Sequence, residues 1–414
     1  MKDELYFHSI RINYNICIGC THCLRACPTE AIRVRNRKSE IYNLKCIDCG
    51  ECFRVCPTEA IFVNHDLLEI LKNYKYKILV ISDNLSSINF GRMSYTDIIK
   101  KLFSFGFDEI WEESIANEMY LISTEKFLNE NKNLKRPVIS TACPSSVRLI
   151  QVSYPSLIEN LSKINLPIDI LGNYIKKYHK EKENLGLFYL ATYPCKITAI
   201  KNPLGLKNSP YDGVFLLNSI YKKLIIEKNL KEGILYRGGK FGTRMARIGG
   251  EEEFLKNFKV LFIDGIWNLK KFFEALEEER VPNFDYIESR VCQYGCVNGI
   301  LLPNQNINLN IYSLKQKEKE LEGKTISDFF KDKNIDEVLS QDIVYLNEEI
   351  KPRPTYILSE NMDTAAKILQ EIDLIYEILP KLDCGSCGAP SCKAFAEDVV
   401  LNRANINDCK FIER

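Results

Sequence analysis

The sequence predicts a multidomain α/β protein with three modules: an α+β module, an α/β body with parallel sheets, and a small α-rich module. Two observations predict this order. Two closely spaced cysteine runs lie near the start of the chain and a further cysteine group near its end, and between them apolar runs of β type alternate with helical patterns. We place the modules at residues 1–66, 67–352 and 353–414.

Charge and composition exclude several classes of function. The chain of 414 residues carries 56 lysines and arginines against 55 aspartates and glutamates, so it has no electrostatic footprint for nucleic acid or an anionic membrane. No stretch approaches the ~20 apolar residues that cross a bilayer. The opening residues, Met1-Lys-Asp-Glu, lack the apolar run of a secretory leader. We therefore expect a cytoplasmic protein that binds neither nucleic acid nor membrane.

Cysteine spacing is the main functional signal. All 16 cysteines fall into sets of four, which favours iron-sulfur ligation over disulfides because the clustered spacing would strain most pairings. Zinc is the stronger competitor, since C-x-x-C pairs also bind it. Three cysteines at successive x-x intervals followed by Cys-Pro, however, form the run of bacterial ferredoxins.

The N-terminal module is an internal duplication and is predicted to be a two-cluster ferredoxin domain. The run Cys17-Ile-Gly-Cys recurs as Cys46-Ile-Asp-Cys, and both halves end in Pro-Thr-Glu-Ala-Ile. In such pairs the fourth cysteine of each run ligates the other cluster. The predicted 4Fe-4S ligands are Cys17, Cys20, Cys23 and Cys56 at site 1, and Cys46, Cys49, Cys52 and Cys27 at site 2. The predicted role is electron relay.

The C-terminal module carries another cysteine set. A helical apolar pattern that begins at Met362 stops at Pro380, just before it. The core Cys384-Gly-Ser-Cys-Gly-Ala-Pro-Ser-Cys resembles the four-cysteine 4Fe-4S domain of corrinoid iron-sulfur proteins and sensory hydrogenases. The predicted ligands of this C-terminal site are Cys384, Cys387, Cys392 and Cys409. We predict a relay or redox-sensing cluster, with a zinc knuckle as the alternative.

The body between them is predicted to contain parallel sheet covered by helices. Its β-type apolar runs begin at Tyr76, Pro137, Leu185, Asp212 and Lys259. In such sheets the chemistry gathers in loops just past the carboxyl ends of strands. Because Cys143 and Cys195 each follow one of these runs, we expect them to share a site.

Three loops of the body resemble those of a known family. Thr141-Ala-Cys-Pro-Ser, Tyr193-Pro-Cys-Lys and Glu288-Ser-Arg-Val-Cys-Gln-Tyr-Gly-Cys resemble, in order, the active-site loops of the iron-only (FeFe) hydrogenases. Phe105-Gly-Phe-Asp-Glu-Ile and Ile248-Gly-Gly-Glu are similar to the sensory branch of that family.

The resemblance implies a hydrogenase-like body in which four cysteines hold a 4Fe-4S cluster and one of them bridges to a diiron unit carrying CO and cyanide. The matching residues of this central site are Cys143, Cys195, Cys292 and Cys296. Cys296 is the implied bridge. Buried structural cysteines are the alternative, because free cysteine packs well in cores.

The chain departs from the active enzymes of that family. Ala142 stands where they carry a cysteine that passes protons, and a methyl group cannot relay a proton. The family's cyanide-binding lysine is absent, and Thr198 holds its position. Arg290 replaces a methionine and is expected to hold cyanide or a carboxylate. Glu288 is expected to accept a proton or to make a structural hydrogen bond, and Asp83 to point away from the site or to pair with a cation.

Three functions are compatible with these features. The first is an H2 or redox sensor that binds H2 and slowly interconverts it with protons and electrons. The second is a low-turnover hydrogenase linked to ferredoxin, which Ala142 disfavours. The third is an electron-transfer protein with only a 4Fe-4S cluster at the central site, which the missing lysine favours.

The resemblance also implies cofactors and partners. We expect four 4Fe-4S clusters, two of them of ferredoxin type, together with the diiron subsite. The expected partners are H2 and protons, a ferredoxin-like electron carrier or signalling protein, and the proteins that mature the diiron unit.

Overall fold

The structure, a computed structural model, describes residues 6–88, 93–302, 306–330, 333–355 and 361–412. It divides into two compact units. Unit 1 comprises Met1–Asn64, Gln151–Ser153 and Pro352–Arg414, and unit 2 comprises His65–Ile150 and Tyr154–Lys351. The two small modules that the sequence separates therefore belong to one unit.

The first part of unit 1 is built from two short halves. Its strands are β1 (Ile10–Ile12), β2 (Ile32–Arg35), β3 (Lys38–Ile41) and β4 (Ile61–Val63), and β1 pairs with β4 and β2 with β3, both antiparallel. The short helices His22–Ala26 and Glu51–Arg54 each carry the third cysteine of a run. This α+β arrangement agrees with the predicted duplication.

The last part of unit 1 contains the helices Met362–Ile378 and Cys392–Val400. The first ends two residues before Pro380, as the sequence predicts. The two helices pack through a small apolar core that includes Ile372, Leu379 and Phe395.

A buried ion pair network joins the two parts of unit 1. Asp398 Oδ2 lies 2.5 Å from Arg33 Nε and 2.7 Å from Arg35 Nη2. The side chains of Arg33 and Asp398 are each 1% exposed. Because an isolated buried charge is strongly unfavourable, each member of the network depends on the others.

Unit 2 contains two parallel sheets. Its strands are β5 (Tyr76–Ile81), β6 (Glu109–Glu112), β7 (Val138–Ile139), β8 (Leu185–Ala191), β9 (Gly213–Leu216), β10 (Ile234–Tyr236), β11 (Val260–Asp264) and β12 (Tyr286–Arg290). The larger sheet has the order β10-β6-β5-β8-β9 and the smaller one the order β11-β12-β7. All of their strand pairs are parallel.

Every predicted β-type run is a strand, and the predicted mixed α/β class with parallel sheets is confirmed. The sequence did not predict β6, β10 or β12. The sequence of β6 is Glu-Ile-Trp-Glu and that of β12 Tyr-Ile-Glu-Ser-Arg, yet every residue in both is buried. Their polar residues interrupt the apolar run that marks a buried parallel strand.

Helices cover the sheets. The α-helices between the two parts of unit 1 are Tyr95–Ser104, Glu113–Glu130, Pro144–Ser153, Pro167–Tyr178, Pro194–Lys201, Leu217–Ile226, Lys240–Arg244, Gly250–Phe254, Ile266–Glu277, Ile307–Glu320, Ile326–Phe329, Ile335–Val338 and Gln341–Val344. Short 3-10 helices span Asn43–Lys45, Leu68–Asn73, Asp83–Ser87, Pro155–Asn160, Cys296–Asn298 and Ile406–Asp408. Among the described residues, no helix is both long and apolar enough to cross a bilayer.

Candidate iron-sulfur centres

The two N-terminal cysteine runs line two separate cavities. One is lined by Cys17, Cys20, Cys23 and Cys56, and the other by Cys27, Cys46, Cys49 and Cys52. Each cavity takes three cysteines from one run and the fourth from the other. Four thiols around a small cavity suit a cubane cluster, so the geometry fits the predicted ligands of sites 1 and 2.

The C-terminal site is a third such cavity, lined by Cys384, Cys387, Cys392 and Cys409. The loop that carries Cys384 and Cys387 lies against the first part of unit 1, the predicted ferredoxin part. Arg25 Nη2 donates to Cys384 O at 2.9 Å and Arg35 Nη1 to Cys387 O at 2.8 Å. Two guanidinium groups therefore hold the carbonyls of two predicted ligands.

The central site is built from loops at the carboxyl ends of parallel strands. Cys143 follows β7, Cys195 follows β8, and Cys292 and Cys296 follow β12, while Asp83 follows β5. β5 and β8 belong to the larger sheet, and β7 and β12 to the smaller one. The predicted central site thus draws its residues from loops of both sheets, at the strand ends where parallel sheets concentrate chemistry.

Two prolines set the direction of the first two loops. Pro144 and Pro194 are the first residues of the helices Pro144–Ser153 and Pro194–Lys201. Proline suits this position because its fixed φ matches the helix and its missing N–H would have no partner there. Cys143 and Cys195 consequently lie at helix N-termini, where the helix dipole favours the negative charge of a cluster.

Cys143 lies near enough to both Cys195 and Cys296 to influence their ionisation. Burial, followed by the charge of Cys143, raises the pKa of Cys195 to about 12. The pKa of Cys296 is also raised to about 12, first by burial and then by Asp83, with a smaller contribution from Cys143. Buried thiols with raised pKa values stay protonated without a metal, and a bound metal stabilises them as thiolates. This set of donors therefore fits an iron-sulfur cluster.

The loop that carries Cys296 is held by hydrogen bonds to its backbone. The Tyr193 hydroxyl donates to Cys296 O at 2.6 Å, and Asn84 Nδ2 donates to the same oxygen at 2.9 Å. Gly295 has φ +83°, and a Cβ there would lie 2.7 Å from Ile248 N. Only glycine fits this turn without strain.

Arg290, two residues before Cys292, is buried, with its side chain 3% exposed. Its Nη2 lies 2.6 Å from Glu251 Oε1, and its Nε lies 4.0 Å from Glu288 Oε1. Burial acts to lower the pKa of Arg290, but Glu251 and Glu288 outweigh burial and raise it, and Cys296 and Cys143 add to the effect. Arg290 therefore holds a carboxylate, one of its two expected partners, and its charge reaches the predicted cluster ligands.

Part of the Arg290 guanidinium has no hydrogen-bond partner. Nη1 is buried and unpaired among the residues that the structure describes. An unpaired buried donor costs about 1–3 kcal/mol, and such a group is often explained by an ion or ligand.

Glu288 makes structural hydrogen bonds. Its carboxylate accepts from the backbone N–H groups of Gly249 at 3.1 Å, Glu251 at 3.1 Å and Glu252 at 3.4 Å. Burial, followed by the neighbouring charge of Glu251, raises its pKa to about 8. These contacts tie β12 to the N-terminus of the helix Gly250–Phe254, and a proton-accepting role for Glu288 stays a prediction.

A second buried cation, Lys196, lies at the site, although it does not have the spacing of the family's missing lysine. Its ammonium group is hydrogen-bonded to Glu113, which also accepts from the Tyr189 hydroxyl at 2.6 Å. Burial acts to lower the pKa of Lys196, but Glu113, Asp83 and Cys296 outweigh it and raise the pKa. Nothing in the local sequence could reveal this pairing, because Glu113 is 83 residues away.

Asp83 is buried beside these groups. Its carboxylate accepts a hydrogen bond from Asn117 Nδ2 at 2.8 Å, and it influences both Lys196 and Cys296. The expectation that Asp83 points away from the site or pairs with a cation stays a prediction. Ala142, directly before Cys143, is half-buried, and its backbone N–H donates to Ser140 Oγ at an N···O distance of 3.2 Å.

Comparison with known proteins identifies hydrogenase-like and iron-sulfur segments in the chain. Residues 81–201 match the model of the iron only hydrogenase large subunit, C-terminal domain. Residues 9–57 match a 4Fe-4S dicluster domain, and residues 379–411 match a putative Fe-S cluster domain. The predicted resemblance to the iron-only hydrogenases is confirmed. The structure gives the hydrogenase-like body two parallel sheets, with the central cysteines in the loops that follow their strands.

Individual relatives support the same modules. Iron hydrogenase 1 of Clostridium pasteurianum is 22% identical over 280 residues, which cover 54% of this chain and 48% of that protein. The corrinoid/iron-sulfur protein large subunit of Moorella thermoacetica is 42% identical over 38 residues, 9% of this chain and 8% of that protein. The chain thus spans about half, or far less, of the length of these relatives.

Solved structures show the fold. Two structures of the FeFe-hydrogenase HydA1 from Chlamydomonas reinhardtii, one of them an apo form, align with TM-scores of 0.50 and 0.52. Each is 14% identical and covers 68% of this chain and 95% of the solved chain. The hydrogenase-like fold therefore extends well beyond residues 81–201.

Proposed function

We propose that this chain is an FeFe-hydrogenase-type iron-sulfur protein that binds H2 and slowly interconverts it with protons and electrons as an H2 or redox sensor. Four 4Fe-4S clusters at sites 1 and 2, the central site and the C-terminal site would form its electron store. A diiron unit with CO and cyanide, bridged by Cys296, would supply the open iron that binds H2.

The observation that carries the proposal is the unpaired, buried Nη1 of Arg290. Its guanidinium is electrostatically linked to Cys296 and Cys143 and is anchored through Nη2 to Glu251. A diiron unit with cyanide ligands is anionic, and a fixed guanidinium is a strong donor to such a group. Arg290 would hold the unit beside Cys296, and the second buried cation, Lys196, would add to the same field.

Slow chemistry follows from the residues that surround the site. Proton transfer by a positioned side chain typically contributes about 10²- to 10⁴-fold to a rate. Ala142 has no proton to give at the position from which the active enzymes pass one. Slow turnover suits a sensor, whose output is the redox state of its clusters, better than a hydrogenase that must sustain flux.

Two buried carboxylates favour a second candidate function, electron transfer with a 4Fe-4S cluster alone at the central site. Asp83 is the second largest cause, after burial, of the raised pKa of Cys296, so a negative group lies close to the implied bridging sulfur. Glu251 already neutralises Arg290. A like charge disfavours an anionic ligand set, although Lys196 offsets Asp83.

Partners follow from the same proposal. A ferredoxin-like electron carrier or a signalling protein would exchange electrons with the chain, and diiron maturation proteins would load the central site. We place the protein in the cytoplasm, where thiols are kept reduced, because the chain has 16 cysteines and the proposal uses all of them as metal ligands.

Infrared spectroscopy of the chain matured with the diiron cofactor tests the proposal. The expected result is a set of CO and cyanide stretching bands that shift under H2, with H2/D2O exchange at a rate far below that of active hydrogenases. Bands with fast, sustained turnover would favour the hydrogenase. A chain with its full iron-sulfur content but no CO or cyanide bands would favour the electron-transfer protein.

Matched variants make the assignment specific. Cys296→Ala should lose the bands but keep the clusters at sites 1 and 2 and at the C-terminal site. Cys387→Ala should lose the C-terminal cluster and keep the bands. Bands that survive Cys296→Ala would contradict the proposed bridge.

A further inference from the structure

The two ferredoxin-type sites have several equivalent hydrogen bonds, as their duplicated sequence implies. Cys17 and Cys46 occupy equivalent positions in the two runs. Lys38 Nζ donates to Cys17 O at 2.7 Å, and Arg353 Nη2 donates to Cys46 O at 2.7 Å. Each site therefore has one cation on the carbonyl of its first ligand, so this feature is common to both sites.

The fourth cysteines of the two runs accept equivalent backbone hydrogen bonds. Ala31 N donates to Cys27 Sγ at 3.1 Å, and Ala60 N donates to Cys56 Sγ at 3.3 Å. A threonine hydroxyl two residues after each of these cysteines lies 3.8 Å and 3.7 Å from the corresponding sulfur. Hydrogen bonds to sulfur tune cluster potentials, and the two backbone donors, Ala31 and Ala60, act alike on the two sites. The Thr29 hydroxyl donates its proton to Lys45 O at 2.7 Å.

One difference is a buried carboxylate at site 2. Where the first run has Gly19, the second has Asp48. A Cβ at Gly19 would lie 2.6 Å from the backbone carbonyl of Arg37, so site 1 has no room for a side chain there. Asp48 is 1% exposed, and its carboxylate, the Cys46 sulfur and His8 offer ligand atoms within 4.8 Å of one another.

Neighbouring groups only partly satisfy this carboxylate. Asp48 Oδ1 accepts from Ser9 N at 3.0 Å, from Ser9 Oγ at 3.2 Å and from Ile10 N at 3.4 Å. Oδ2 has no hydrogen-bond partner among the described residues.

The other difference is a buried hydroxyl at site 1. Ser39 Oγ lies 3.3 Å from Cys23 Sγ and 3.6 Å from Cys17 Sγ, and Ser39 is 1% exposed. When these sulfurs are iron-bound thiolates, only the hydroxyl can donate. A donated hydrogen bond stabilises the added negative charge of a reduced cluster, whereas a buried carboxylate destabilises it.

We propose that the cluster at site 2 has a more negative reduction potential than the cluster at site 1, so that within the pair an electron passes from site 2 to site 1. In this step the reduced cluster at site 2 loses one electron and the oxidised cluster at site 1 gains it, with no bond made or broken. The inference rests on the part of the proposed function that fills both sites with 4Fe-4S clusters, and it does not need the diiron unit.

A redox titration of the full chain with its clusters, monitored by electron paramagnetic resonance, tests the inference. The parent should show two separable ferredoxin-type midpoints. Asp48→Asn keeps an acceptor for Ser9 and removes the charge, so it should move the lower midpoint to a more positive value and leave the higher one in place. Ser39→Ala should move the higher midpoint to a more negative value and leave the lower one in place.

A matched control separates a buried charge from charge in general. Glu51→Gln removes a carboxylate from the same run, but that side chain is 22% exposed and lies 3.8 Å from Arg54. It should shift the lower midpoint less than Asp48→Asn does, because solvent partly screens the Glu51 charge and Arg54 partly offsets it.

Several results would overturn the inference. Equal midpoints in the parent, a shift of the higher midpoint in Asp48→Asn, or an equally large shift in Glu51→Gln would each do so. If Asp48→Asn loses its cluster, Ser39→Ala still decides, because an unchanged higher midpoint there contradicts the proposed asymmetry. Iron content and the two cluster signals are measured first, so a chain that fails to fill sites 1 and 2 contradicts the proposed function as well, whereas a missing diiron unit does not affect this test.

Discussion

Replacing Asp398 by asparagine should detach the C-terminal part of unit 1 from its ferredoxin part. The carboxylate contacts Arg33 Nε at 2.5 Å and Arg35 Nη2 at 2.7 Å, and the side chains of Arg33 and Asp398 are each 1% exposed. Removing one partner of a buried ion pair costs about 3–5 kcal/mol, because the other charge stays buried without compensation. Asparagine keeps one acceptor oxygen, so we expect a loss near the lower end, about 3 kcal/mol.

Hydrogen exchange measured by mass spectrometry on the chain with its clusters is the assay. Amides of the helix Cys392–Val400 should exchange faster in Asp398→Asn, by about 100-fold if the helix opens by local detachment, since about 1.4 kcal/mol corresponds to a factor of ten. Unit 2 should not change.

The control is Glu183→Gln, which breaks the surface pair of Lys75 and Glu183, whose side chains are 65% and 79% exposed. Exposed pairs contribute little, so this variant should exchange like the parent. Parental protection of the helix Cys392–Val400 in Asp398→Asn would refute the reasoning.

Three further predictions concern single residues. Ala142→Cys should raise H2 turnover of the fully matured chain by up to about 10²- to 10⁴-fold, because it restores a proton-transfer group. An unchanged rate in a gas-exchange assay would show that Ala142 does not limit turnover. Gly388→Ala should destabilise unit 1 in urea titrations by about 1–3 kcal/mol more than Gly323→Ala destabilises unit 2. Both glycines have positive φ, but only at Gly388 would an added Cβ meet backbone, at 1.8 Å from a carbonyl oxygen. Asp169→Asn should stabilise unit 2 relative to the parent by an amount that grows from about pH 4 to about pH 8. Burial raises the pKa of Asp169 from 3.8 to about 8, so in that range the folded parent holds a proton that the unfolded chain releases. The stability of the parent therefore falls as pH rises. A stability difference that does not grow with pH would contradict this last prediction.

The cysteine sets could be predicted from sequence because ligand spacing is local. Cys17, Cys20 and Cys23 lie within one short loop and helix, and the ferredoxin rule supplies the fourth cysteine from the other run. The scattered central cysteines follow no such rule. Their positions after predicted strands suggested that Cys143 and Cys195 share a site, and the resemblance of the three loops added Cys292 and Cys296. The structure places those loops at the ends of β7, β8 and β12.

Charged partners in the core could not be predicted. Hydropathy assigns Glu, Arg and Lys to the surface, whereas Glu113, Lys196, Glu251 and Arg290 are all buried here. Their burial is tolerated because each has a partner, and each partner lies far away in the chain. The joining of the two small modules depends on the same physics, since Arg33 and Asp398 are 365 residues apart.

The most direct test of the central claim is a crystal structure of the fully matured chain, with iron located by anomalous scattering at the central site. We predict a cubane held by Cys143, Cys195, Cys292 and Cys296, with two further iron atoms attached through Cys296 Sγ and a ligand of that pair accepting a hydrogen bond from Arg290 Nη1. Anomalous density for a cubane alone, with protein atoms filling the space beside Cys296, would contradict the claim.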